Sequence, residues 1–202
     1  MKNEKQIVLF LEKGTEFSEI KIASEINEKY PELGSPITIP FNPNNPDNPL
    51  IIFNQGIMSV TMNRNDLAFV YNREDDKKCF DMAIDIIELI EDYNVKFNRL
   101  GYVSTYLQDK KNKTKFLANT FKDKDMINDE FNLAWYKNEL IDSVRVNVWE
   151  RHLTDMINKV DYVIIFDINT PMGEEYNITS DFTNDFIKTC DKYISKKISE
   201  RI

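Results

Sequence analysis

Two groups of residues are spaced so that they could do chemistry. In SVRVNVWER (143–151), Ser143, Arg145, Asn147, Trp149 and Arg151 alternate with Val144, Val146 and Val148. Side chains point to opposite sides along a strand, so a strand here sends three valines into a core and leaves the other set on the opposite face. Arg with Trp on an open sheet face is the chemistry of an interface anchor, because both give large contact area at modest entropy cost. The related stretch SVTMN (59–63) offers Ser59, Thr61 and Asn63 in the same way. The second group is acidic: Asp81, Asp85, Glu88 and Asp92 recur at i, i+4, i+7 and i+11, which is one face of a helix. Like charges at that spacing cost a helix a few tenths of a kcal/mol per pair. Such a stripe would attract a basic partner or imitate the phosphates of a nucleic acid.

Motifs for catalysis, metals and cofactors are weak. His152 is the only histidine. With Glu150, Arg151 and Asp155 it sits where a strand is expected to end, a place where such residues are usually exposed; a hydrolase site there is the third reading. DINTPMGEE (167–175) begins like a calcium loop, with Asp167 and Asn169 two apart, but Pro171 takes the fifth place and Gly173 comes one residue late. The five glycines are scattered, so no phosphate-binding loop or dinucleotide fingerprint exists. Cys79 and Cys190 are far from any CxxC spacing and are expected to be reduced, buried thiols. The expectation is no cofactor and no metal.

Composition narrows the partner. Lys and Arg number 26 against 34 Asp and Glu, a net charge of −8. An acidic surface repels a phosphate backbone, so direct nucleic-acid binding is disfavoured and a protein partner fits better. With 42% hydrophobic and 30% charged residues the chain reads as globular. The apolar run Ile7–Leu11 is too short for a signal peptide, and no stretch approaches a membrane span, so a cytoplasmic protein without membrane contact is expected. Heavy use of Asn, Lys and Ile suggests an AT-rich bacterial or phage genome.

The elements that must position these residues follow from periodicity. KQIVLFL (5–11) reads as a strand. TEFSEIKIASEINEKY (15–30) reads as a helix capped by Thr15, with Phe17, Ile20, Ala23, Ile26 and Tyr30 near helical spacing. LIIFN (50–54), IMSVTMN (57–63) and LAFVY (67–71) read as an antiparallel meander turning at Gln55-Gly56 and Arg64–Asp66. The stretch 75–93 is the clearest helix, with a stripe of Phe80, Ala83, Ile84, Ile87 and Ile90. The second half repeats the order: a strand at 95–107, a helix at 113–121, strands at 131–136 and 140–149 across a Lys137-Asn138 turn, a strand at 161–168 and a closing helix from Ser180. Prolines 40, 43, 46 and 49 recur every third residue, as in a polyproline II connector that guards a sheet edge.

SVTMN and SVRVN thus fall on the middle strand of each meander, 84 residues apart (59 to 143). This points to an α+β fold with an antiparallel sheet and helices on one face, a single domain over 1–202 made of pseudo-repeated β-α-β-β-β-α halves, 1–94 and 95–202. The order resembles the saddle-shaped fold of the TATA-binding protein, in topology alone. FNRLGYVSTYL (97–107) resembles the Arg-hydrophobic-Gly-hydrophobic-Arg-Tyr stretch of a sporadically distributed family of uncharacterised bacterial proteins, with Val103-Ser104 in place of the Arg-Tyr. VIIFDIN (163–169), followed by a closing helix, is similar to that family's end. The resemblance implies a patchy distribution of the kind seen for genes on mobile elements, and no activity.

The leading expectation is a non-catalytic protein-binding module that uses Arg145, Asn147, Trp149 and Arg151, with Thr61 and Asn63 as their first-half counterparts. A phage or defence role fits the composition. The alternative is an acidic inhibitor that mimics nucleic acid through Asp81, Asp85, Glu88 and Asp92.

Overall fold

Alternation of buried and exposed residues shapes the strands. The computed structural model describes residues 3–14, 17–42, 45–121, 131–154 and 162–201. In β1 (Glu4–Leu11), Lys5, Ile7, Leu9 and Leu11 are buried and their neighbours are not. The Lys5 ammonium is satisfied by Asp76 at 2.6 Å. After β1 come α1 (Glu19–Lys29), β2 (Ile37–Asn42), β3 (Asn45–Phe53), β4 (Met58–Met62), β5 (Asp66–Asn72) and α2 (Asp76–Glu91). The chain continues with β6 (Phe97–Gln108), α3 (Lys110–Phe121), β7 (Asn132–Ile141), β8 (Val144–Thr154), β9 (Tyr162–Asn169) and α4 (Ser180–Arg201). Neighbouring strands are antiparallel, and the fold class is α+β as expected.

The chain forms two compact units. The first comprises Lys5–Gly101 with Met172–Asp185, and its strands follow the order β2-β3-β4-β5-β1-β6. The second comprises Met1–Glu4, Tyr102–Pro171 and Phe186–Ile202, with the order β6-β9-β8-β7.

In the first unit, Leu9, Ile22, Ile26, Phe53, Val60, Phe69 and Ile86 form a dry core. Helix α1 starts later than its apolar spacing implies: Ser18 is the cap, accepting from the Lys21 N–H at 3.4 Å, and Thr15 lies outside the described residues. Ile20 is consequently exposed. The apolar arc of α2 is wider than the face it packs with, and the buried set is Cys79, Met82, Ala83, Ile86, Ile87 and Ile90, leaving Phe80 and Ile84 half-buried. The proline-rich stretch is not polyproline II. It folds into the β2–β3 hairpin, with Pro40 opposite Pro49 and Asn42 opposite Asn45; Pro43 is outside the described residues. Pro40 is tolerated because β2 is an edge strand, and Pro46 and Pro49 precede the β3 residues, Ile51–Phe53, that pair with β4. Gly56 is required in the β3–β4 turn, since a Cβ there would sit 2.6 Å from the Glu32 carbonyl oxygen.

In the second unit the expected turn at Lys137-Asn138 does not exist. Both residues lie inside β7, and the chain reverses at Asp142-Ser143, with φ of 45° and 70°. Two consecutive positive φ values make the two-residue turn that matches strand twist, and Asp tolerates that region. The hairpin is long and regular, from Ile141↔Val144 to Asn132↔Leu153. Helices α3 and α4 both pack on the face shown by Trp135, Lys137, Glu139, Glu150 and His152, through Phe116, Tyr193 and Arg201. Cys79 and Cys190 are buried free thiols. Burial, helped by Asp75, pushes Cys79 up to about 11, which leaves it inert as a nucleophile.

Candidate functional site

β8 carries two different surfaces because alternate residues go to opposite sides. Towards the helices it shows Val146, Val148, Glu150, His152 and Thr154, all buried. Away from them it shows Arg145, Asn147, Trp149 and Arg151, so the strand projects all four as their spacing implies. β7 adds Tyr136, Asn138 and Leu140 to the open side, in a register that sets Tyr136 opposite Trp149, Asn138 opposite Asn147 and Leu140 opposite Arg145. On the other flank, Asn147 faces Asn169 and Trp149 faces Asp167.

This open face is organised. The Tyr136 and Trp149 rings lie 4.8 Å apart, with exposures of 51% and 48%, and Leu140 is 71% exposed. Asn147 ties three strands together: its Oδ1 accepts from the Tyr136 hydroxyl at 3.1 Å and from Asn138 Nδ2 at 2.8 Å, and its Nδ2 donates to Asn169 at 3.5 Å. Arg151 donates to Asn132 at 3.2 Å, so its guanidinium is held over the strand. The hydrogen bonds fix the backdrop against which two aromatic rings remain in water. Large exposed apolar side chains gathered on one face mark an interaction surface more often than single scattered ones do.

The first-half counterparts lie in the other compact unit. Thr61 is half-buried on β4, and Asn63 is buried in the turn that follows, where its Oδ1 accepts the N–H groups of Asn65 at 2.7 Å and Asp66 at 3.2 Å. Asn63 therefore holds a turn. Both residues belong to the first unit, while the Arg145–Arg151 set belongs to the second.

Glu150 and His152 overturn the expectation of an exposed strand end. Their side chains are 1% and 0% exposed, and His152 Nε2 lies 2.9 Å from Glu150 Oε1. Arg201, from the last turn of α4, donates to the same oxygen at 3.2 Å and lies over the Trp135 ring. Phe116 of α3 stacks on the His152 ring at 4.2 Å, nearly parallel, and Tyr162 completes the stack. Burial alone would raise the Glu150 carboxyl; hydrogen bonding and charge from His152 and Arg201 outweigh it and hold the group below its ordinary value. Phe116 of α3 and Arg201 of α4 enclose the pair. Asp155 is outside the described residues.

The acidic stripe is where the helix period places it. Asp81, Asp85 and Glu88 are exposed on α2, and Asp92 is exposed at its C-cap. Two are already engaged: Lys77 binds Asp81 at 2.6 Å, and the Tyr30 hydroxyl donates to Asp85 at 2.8 Å.

One feature had no sequence signal. The first unit contains an open cavity of about 1160 Å³ lined by Phe10, Arg64, Phe97, Arg99, Glu174 and Tyr176. Its charged residues come from three separate loops and a strand, which no local spacing could group. Arg64 is paired with Glu19 at 3.1 Å, and the Arg99 guanidinium lies over the Phe10 ring at 5.1 Å. Among the described residues no His, Cys, Asp and Glu gather as a metal site would need. The chain matches no known family model and no curated protein.

Proposed function

We propose that the chain is a non-catalytic protein-binding module whose working surface is the open face of β8 and β7. The reading rests on one observation: Trp149 and Tyr136 stand half-exposed side by side on strands whose opposite face is packed against helices. Tyr, Trp and Arg dominate the energetics of protein interfaces, and here all three types share one face. Arg145 and Arg151 bracket the rings, so the partner presents an apolar patch with an acidic rim.

The double replacement Arg145→Ala with Trp149→Ala tests this. Capture of the partner from the native host lysate should be lost, while the unfolding free energy stays within about 0.5 kcal/mol of wild type, as for surface substitutions generally. Failure to fold would make the face part of the core and end the proposal; unaltered capture would move the site elsewhere.

Related readings belong to the same proposal. The second half runs β-α-β-β-β-α and the first β-α-β-β-β-β-α, with β2 as an additional strand; SVTMN and SVRVN at the middle strands of the β3–β4–β5 and β7–β8–β9 meanders support duplication of an ancestral unit. The composition and the resemblance to a patchily distributed bacterial family support a phage- or defence-associated role in the cytoplasm. A second reading, a nucleic-acid mimic, is supported by the four outward carboxylates of α2. It predicts salt-sensitive capture of a basic protein, weakened by Lys at Glu88 and Asp92 and untouched by the Arg145–Trp149 double replacement.

A further inference from the structure

We propose that β7 is a dimerisation edge, along which a second copy of this chain adds its own β7 in an antiparallel register centred on Asn138. Among the described residues β7 is the last strand in its order and pairs with β8 alone. It is ten residues long, regular and free of proline. Edges of that length are ordinarily blunted, because their outward N–H and C=O groups template another strand.

The sequence of β7 is complementary to itself in only one such register. Centred on Asn138, antiparallel pairing sets Lys137 opposite the copy's Glu139 and Glu139 opposite its Lys137. On the other side of the sheet, Tyr136 meets the copy's Leu140 twice, and these are among the most exposed large apolar residues of those described. Moving the centre to Lys137 would place Lys137 against itself, and moving it to Glu139 would place Glu139 against itself. Directly opposed like charges destabilise a strand pair and opposite charges stabilise it, so the two neighbouring registers are rejected and the central one is favoured. A lone Lys guards an edge by repelling a copy of itself. Lys137 and Glu139, two residues apart and already paired at 2.5 Å within the chain, do the reverse. The contact is isologous, as the commonest closed dimers are. It goes beyond the binding reading and does not depend on it, although Tyr136 belongs to both surfaces.

Sedimentation equilibrium of the full chain decides the matter. Wild type should associate to twice the chain mass. Lys137→Glu alone and Glu139→Lys alone should each weaken association by roughly 10-fold or more, because each sets like charges opposite twice. Mixing these two variants should restore a dimer, since every facing pair is then opposite in sign. Leu140→Lys, at a site 71% exposed and outside the ion pair, should weaken association without altering the melting temperature. A wild-type chain that stays monomeric to its solubility limit would overturn the proposal. So would a dimer that none of the variants weakens, or a charge-swapped mixture that remains monomeric. Lys137→Glu and Glu139→Lys, on the opposite side of the sheet from Trp149, should leave partner capture intact, which separates the two proposals.

Discussion

β4 and β8 are the middle strands of the β3–β4–β5 and β7–β8–β9 meanders, and the related pentapeptides SVTMN and SVRVN overlap them, Asn63 following β4 and Ser143 preceding β8. β4 stops after five residues, while β8 runs on for eleven. That difference separates structure from prospective function. In β4 the inward residues Met58, Val60 and Met62 are all apolar and the strand closes on the Asn63 turn. In β8 the inward row changes from Val146 and Val148 to Glu150 and His152, and the outward row reaches Trp149 and Arg151. The shared pentapeptide builds a core strand in both units. What lies beyond it in β8 carries the buried polar cluster on one side and the aromatic face on the other.

The largest test of this contrast is at Glu150. Glu150→Ala would leave the Arg201 guanidinium and the His152 ring without their shared acceptor beside a void. Breaking such a pair costs about 3 kcal/mol, readable as a lower urea midpoint at an unchanged slope. Acid titration gives a second readout. The Glu150 carboxyl is held below its ordinary 4.5 in the folded chain, so its contribution is complete above that value and is lost as pH falls through the lower folded one. Wild-type stability should therefore fall more steeply than that of Glu150→Gln between about pH 5 and pH 3. Parallel curves would mean that the cluster is electrostatically idle and that β8 differs from β4 only in length.

Much of this was legible from alternation alone. The inward Val146 and Val148, the outward Arg145, Trp149 and Arg151, and the outward acidic stripe of α2 each follow from a period of two or of 3.6 residues. What was illegible depends on partners distant in sequence. Burial of Glu150 requires Arg201, 51 residues away, and burial of His152 requires Phe116 on α3. The hairpin turn was misplaced because Lys137-Asn138 has turn-like composition, whereas the actual turn uses an Asp and a Ser at positive φ with no glycine to advertise it. β2 was hidden because prolines argue against a strand except at an edge, and edge position is decided by the sheet and not by the local sequence.

The asparagines of the two pentapeptides provide an intermediate test. Asn63 is buried and satisfies two backbone N–H groups while donating to Asp66 Oδ1 at 3.0 Å. Asn147 makes as many contacts, but mainly on a face open to water. Leaving buried donors unsatisfied costs more than giving exposed ones back to solvent. Asn63→Ala should cost about 1.5 kcal/mol and Asn147→Ala about 0.5 kcal/mol by chemical denaturation. Equal costs would show that the open face is more desolvated than its exposed rings indicate, and would weaken its assignment as a binding surface.

The serines give the smallest effect and the sharpest one, because the sign should invert. Ser59 lies in β4 with extended backbone, where glycine adds unfolded-state freedom and removes a packed Cβ. Ser59→Gly should therefore destabilise by about 0.5–1 kcal/mol. Ser143 stands at φ 70° in the β7–β8 turn, a conformation that costs an L-residue roughly 1–2 kcal/mol and glycine almost nothing. The gain exceeds the added unfolded-state entropy, so Ser143→Gly should stabilise by about 0.5 kcal/mol and raise the melting temperature. If the two substitutions shift it in the same direction, the turn is not where Asp142-Ser143 places it. β7 would then be shorter than ten residues, and the self-complementary edge centred on Asn138 would lose the Leu140 that closes it.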